Sequence, residues 1–105
     1  MIQIRPWDRV KDYPTIQAWY EGNGSMGPHP TQLPPLGVVA YDEQGEHAAV
    51  GAYQSLGVGV AFPEWLVTNP NTVKTTKLQC VVAAMTGLEK MLKADGYEMF
   101  RVAII

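Results

Sequence analysis

The side chains able to do chemistry in this 105-residue chain are few: two histidines, one cysteine, and carboxylates scattered singly. His29 and His47 are far apart and Cys80 falls in the middle of a helical pattern, so no metal-ligand spacing links them. No serine, histidine and aspartate pattern suggests a hydrolase. Cys80 lies beside an apolar stripe and reads as a small buried residue. Gly22-Asn23-Gly24-Ser25-Met26-Gly27 matches G-x-G-x-x-G, a fingerprint with meaning only after a strand and before a helix. Here it follows a helical pattern and runs into Pro28-His29-Pro30, which excludes dinucleotide binding. The helix start after Asn71 has free amides, a favourable dipole and Lys74 and Lys77 nearby, and could hold an anion. Every helix has such an end, however, and the threonines there can simply cap it.

These residues need elements to position them. Ile2-Gln3-Ile4-Arg5 alternates and is stopped by Pro6, which predicts a first strand. Asp12 as N-cap and Pro14 in the first turn open a helix over Tyr13–Glu21, with Ile16, Trp19 and Tyr20 as its apolar stripe. Gly22–Pro35 holds three glycines and four prolines in 14 residues, a long irregular loop. Gly37–Tyr41 and Ala48–Gln54 flank the turn Asp42–Glu46 and predict a hairpin. A third run covers Gly59–Thr68, where Pro63 implies a bulge or an edge position. Asn69-Pro70-Asn71 is turn chemistry.

A long helix follows to about Ala94, started by a capping box at Thr76 and Gln79 or else by Thr72. Leu78, Val81, Val82, Met85, Leu88 and Leu92 make its apolar face, and Gly96 suits the position past its end. Tyr97–Ile105 is a closing apolar strand. Trp7, Trp19 and Trp65 flank these elements as core or rim aromatics. The fold class is therefore α/β, as an α+β mixed sheet in the order β-α-loop-β-β-β-α-β, ending after the fifth strand, in one domain over residues 1–105.

Composition narrows the function classes. The chain is 47% hydrophobic and 17% charged with net charge −2, so no global charge draws it to nucleic acid or anionic lipid. No window approaches the roughly 18–20 apolar residues of a membrane span, and no secretory signal opens the chain. A lone cysteine fits a reducing compartment, so the expectation is a cytoplasmic protein without nucleic-acid, membrane or metal partners.

The order of elements and several local words together resemble the GNAT acetyltransferase superfamily. Ile2-Gln3-Ile4-Arg5-Pro6 is similar to its first strand, Trp65-Leu66-Val67-Thr68-Asn69-Pro70 to its fourth, and the long helix and Gly96-Tyr97 follow in the expected order. Tyr13-Pro14, Leu33-Pro34-Pro35 and the Trp-Leu-Val-x-Asn-Pro motif look like small acetyltransferase-like proteins of tailed bacteriophages. This resemblance implies an acetyl-CoA-dependent N-acyltransferase-like protein, phage-encoded and acting in the cytoplasm of a bacterial host. It implies acyl-donor binding along Val67, Thr68, Asn69, Lys74, Thr75 and Thr76, Glu64 as the base that deprotonates the amine through water, and acceptor contacts at Met26 and His29. The alternative is a non-catalytic module on the same scaffold that docks on a host protein. The family's Q/R-x-x-G-x-G/A phosphate loop corresponds to Asn71-Thr72-Val73-Lys74-Thr75-Thr76, which has no glycine. The fold's usual further helix and strands do not follow Ile105. Phe100-Arg101-Val102-Ala103-Ile104-Ile105 would leave an open strand edge, which predicts a homodimer or a target protein bound there.

Overall fold

A computed structural model describes residues 1–55 and 57–99. The final segment, Phe100–Ile105, on which the open-edge expectation rests, lies outside the described residues. Among the described residues five strands form one mixed sheet in sequence order: β1 (Gln3–Pro6), β2 (Leu36–Asp42), β3 (Gly45–Ser55), β4 (Val60–Thr68) and β5 (Glu98–Met99). The first four pair antiparallel, and β5 joins β4 in parallel. A parallel neighbour requires a crossover, and α2 (Lys74–Ala94) supplies it. On the opposite face lies α1 (Tyr13–Gly22).

The two faces carry separate cores. Val38, Ala40, Ala48, Val50, Ala52 and Ala61 pack against Cys80, Ala84, Leu88 and Leu92 of α2. Alanines in the strands and Cys80 and Ala84 on the helix let α2 lie close to the sheet. Against α1, the core is Trp7, Ile16, Trp19, Leu33, Val39, Ala49 and Val67. Trp7 lies flat across the sheet: a Cβ on Gly37 would sit 2.0 Å from its ring, and one on Gly51 2.4 Å away. Its indole Nε1–H donates to the Pro34 carbonyl at 3.2 Å, which ties the glycine- and proline-rich loop to the sheet.

Several expected details change. Pro6 belongs to β1, paired opposite Val38, because an edge strand tolerates proline. Asp12 precedes α1 but makes no side-chain cap. Its carboxylate instead receives both guanidinium nitrogens of Arg5 at 2.9 Å and the Asp8 amide at 2.7 Å. That pairing holds the Asp12 carboxyl below its ordinary value, with the Arg5 hydrogen bond the largest cause. Arg5 also reaches Glu46, so one guanidinium joins β1, the approach to α1 and the β2–β3 hairpin.

The long helix starts at Lys74 behind Val73, without a side-chain cap, and not through the Thr76–Gln79 box. Its buried line is Cys80, Ala84, Leu88 and Leu92, a strict four-residue spacing. Leu78 (68% exposed) and Val82 (59%) of the expected stripe face outward. The buried face is rotated from the expected one toward the smaller Cys80 and Ala84. The bulge in β4 lies two residues past Pro63: β3 pairs Ala49 with Val67 but Gly51 with Glu64, which leaves one extra residue in β4 at Trp65–Leu66. Among the described residues Trp65 is the one non-glycine with positive φ, at 60°.

Candidate functional site

The bulge decides what the end of β4 can do. Ala61, before it, packs with α2, whereas Val67, after it, packs with α1. Strand side chains alternate with period two, so two odd-numbered residues on opposite faces require the extra residue between them. Left-handed backbone is uncommon for a bulky residue such as Trp65. Tyr20 holds it there: the two rings meet edge to face at 5.9 Å, and the Tyr20 hydroxyl donates to the Leu66 carbonyl at 3.0 Å.

Backbone direction follows from the register. The Asn69 amide donates to the His47 carbonyl at 2.8 Å, so in the antiparallel ladder Asn69 and Val67 turn their backbone groups toward β3. Thr68, between them, turns its groups the other way. Its carbonyl accepts from Asn23 Nδ2 at 2.9 Å. Of the three expected contact residues Val67, Thr68 and Asn69, Thr68 is the one whose backbone faces outward. Nearer the start of β4, alternation turns the nitrogen of Pro63 the same way, so this edge lacks a donor there.

A groove of about 300 Å³ follows this edge, lined by Tyr20, Asn23, Ser25, Leu66, Val67, Thr68 and Val81. Burial, and secondarily the charge of Glu64, push the Tyr20 phenol up to about 12, so it stays a donor at neutral pH. Glu64 itself is exposed on β4. Met26 is 91% exposed, and His29 caps the short 3-10 turn Pro30–Gln32, its Nδ1 2.9 Å from the Thr31 hydroxyl. Asn23 and Ser25 are the loop residues that line the groove, while neither Met26 nor His29 does. Lys74, Thr75 and Thr76 form the first turn of α2.

A second cavity, of about 360 Å³, opens between the β2–β3 hairpin and the start of α2. Asp42, Gln44, His47, Asn69, Asn71, Thr72, Val73 and Thr76 line it, none of them shared with the groove. Sequence reasoning gave His47 no partner. Here it is buried, with Nε2 2.7 Å from Asp42 Oδ1 and Nδ1 2.7 Å from Thr72 Oγ1. The signal that could have found it is the hairpin, which brings Asp42 and His47 together across its turn. No group of three histidine, cysteine, aspartate or glutamate side chains that could hold a metal occurs among the described residues. No helix among them is long and apolar enough to cross a membrane.

With this geometry in place, the comparisons define the fold. A tandem GNAT protein from the clavulanic acid biosynthesis pathway aligns with a TM-score of 0.63 at 13% identity, covering 92% of this chain and 34% of that one. Glucosamine-6-phosphate N-acetyltransferase from Arabidopsis thaliana aligns at 0.60 and 12%, covering 100% and 84%. An acetyltransferase from Trypanosoma brucei aligns at 0.58 and 10%, covering 99% and 84%. This chain thus spans about a third of the first neighbour's length. No sequence-family profile and no curated protein matches. The architecture is the GNAT acetyltransferase fold.

Proposed function

We propose that this chain is an N-acyltransferase-type protein that takes acetyl-CoA along the outward edge of β4. The observation that carries this reading is the bulge at Trp65, which turns Thr68 outward into a groove between α1 and α2. GNAT-fold neighbours named as acetyltransferases support the same use of the scaffold.

The residues fit such a donor in a particular way. With its carbonyl held by Asn23, Thr68 turns its amide to an amide-bearing arm, and Leu66, Val67 and Val81 give it apolar walls. The start of α2 carries no side-chain cap, so its first amides are open to a phosphate, with Lys74 adding charge. Without glycine between Asn71 and Thr76, the phosphate is held by helix amides and Lys74 and not in a close backbone cradle. When bound, acetyl-CoA supplies an activated thioester. The chain's own part is to hold that arm, to present the acceptor amine from the Ser25–His29 side, and to receive its proton at Glu64 through water. The Tyr13-Pro14, Leu33-Pro34-Pro35 and Trp65–Pro70 words support a tailed-phage origin.

Calorimetric titration with acetyl-CoA and with coenzyme A tests this reading. Micromolar binding weakened by Lys74→Glu is the expected result. Absence of heat at millimolar ligand overturns it.

A further inference from the structure

The cavity at the hairpin carries a constellation that the acyltransferase reading does not use. Hydrogen bonding from His47 is the largest cause holding the Asp42 carboxyl below its ordinary value, so at neutral pH it is a carboxylate and only accepts. The His47 Nε2 facing it at 2.7 Å therefore carries the proton. When the imidazole carries only that proton, Nδ1 is the acceptor for the Thr72 hydroxyl 2.7 Å away. A hydroxyl, an imidazole that can take its proton and a carboxylate that fixes the tautomer stand in line. These are the roles that activate an oxygen nucleophile for acyl transfer, and they are recognised by geometry and not by chain order.

Three further features make this more than a buried histidine with two partners. Thr72 and His47 line a cavity of about 360 Å³, so space for a reactant adjoins the hydroxyl. Thr72 is held firmly: its amide donates to the Asn69 carbonyl at 3.1 Å, closing the Asn69–Thr72 turn, and the Asn71 amide donates to Asn69 Oδ1 at 3.0 Å. The uncapped start of α2 opens on the same cavity through Val73 and Thr76, and its free amides and dipole favour negative charge.

We propose that Thr72, His47 and Asp42 form a second site that hydrolyses small activated acyl esters through an acyl-Thr72 intermediate. Thr72 Oγ1 bonds to the acyl carbon while its proton passes to His47 Nδ1, and charge on the carbonyl oxygen is met by the first-turn amides of α2. The bond from the acyl carbon to the leaving oxygen then breaks, and that oxygen takes the proton from Nδ1. Water next attacks the acyl-Thr72 ester, His47 again receives the proton, and the hydroxyl of Thr72 is restored. The sum is ester plus water giving acid plus alcohol, with no redox partner. Thr72 and His47 are the catalytic residues, and Asp42 is a positioning residue. The cavity sits near the lower end of ligand-pocket sizes, which selects short acyl groups.

The test is hydrolysis of 4-nitrophenyl acetate by the full chain, with peptide mapping of a quenched early time point. The expected result is a rate at least ~10-fold above the Thr72→Ala variant, recovery in Thr72→Ser, and one acetyl group on the peptide bearing Thr72. Asp42→Asn should lower turnover with KM little changed, as expected for a residue that acts through the imidazole tautomer. A wild-type rate equal to that of folded Thr72→Ala overturns the proposal. So does acetylation found on lysines or histidine but not on Thr72, a readout that needs no variant to fold. The first-turn amides of α2 serve both readings, but no acetyl-CoA is present in this assay and Thr72, His47 and Asp42 have no part in holding the coenzyme, so the two readings fail separately.

Discussion

The groove beside β4 and the cavity beside the hairpin lie at the same end of β4, yet they are built on opposite principles. The groove is walled by Leu66, Val67 and Val81 and bounded by backbone whose outward carbonyls are already held by Tyr20 and Asn23. It offers shape and an edge, and its side chains are replaceable. The cavity is polar and depends on one buried imidazole between two partners, each 2.7 Å away. Residues that merely border a groove cost little to change, whereas a buried group that completes a hydrogen-bonded line costs much.

Substitutions break this contrast in graded steps. The largest effect is expected at His47→Ala, which leaves the Asp42 carboxylate and the Thr72 hydroxyl without their common partner. Urea denaturation should show a loss of about 2–4 kcal/mol. Gly22→Val comes next, because a Cβ at Gly22 would lie 2.7 Å from Pro70 Cγ. Gly22 ends α1 beside the groove and Pro70 belongs to the turn that carries Thr72, so this change should disturb both sites at a cost of about 1–3 kcal/mol. Tyr20→Phe removes one hydrogen bond to the Leu66 carbonyl and should cost about 0.5–1.5 kcal/mol by the same measurement. It also frees that carbonyl, so calorimetry should find acetyl-CoA binding undiminished. Smallest is Leu66→Ala, already 44% exposed, for which less than about 1 kcal/mol is expected.

Acid should act on the polar side first. Asp42 and Asp12 both have lowered pKa values in the folded chain, from His47 and Arg5 respectively. A carboxyl with a lowered folded pKa stabilises the fold above its ordinary range and loses that contribution as pH falls through the folded value. Thermal melting followed from pH 7 downward should therefore show a decline below the ordinary carboxylate range. Asp12→Asn should be less stable at pH 7 and should flatten part of that decline.

Much of this was legible in the sequence, and the exceptions have physical causes. The order of elements, the Asn69–Asn71 turn and the position of Gly96, with φ of 85° past the helix end, follow from local chemistry. The buried line of α2 departs from the sequence pattern because hydropathy favours Leu78 and Val82 over Cys80 and Ala84, while close packing on an alanine-rich sheet favours the small residues. Asp12 read as a cap because nothing local announces Arg5, which arrives from a neighbouring strand. The groove was partly legible, since its walls lie in the Trp65–Pro70 word. His47 was not legible as part of a site, because Thr72 reaches it only after the chain has passed through β3 and β4.

The extra residue at Trp65 has one more consequence. A strand normally assigns alternate residues to the same two layers along its whole length. In β4 the assignment is inverted part-way, so Ala61 belongs to one layer and Val67 to the other. The strand therefore works as a phase shifter between two cores. Deleting Trp65 would not simply shorten it: every residue from Leu66 onward would change sides, sending Val67 toward α2 and Thr68 toward α1. Length variation in this strand is thus admissible only in steps of two, a rule that can guide the alignment of distant sequences sharing this fold.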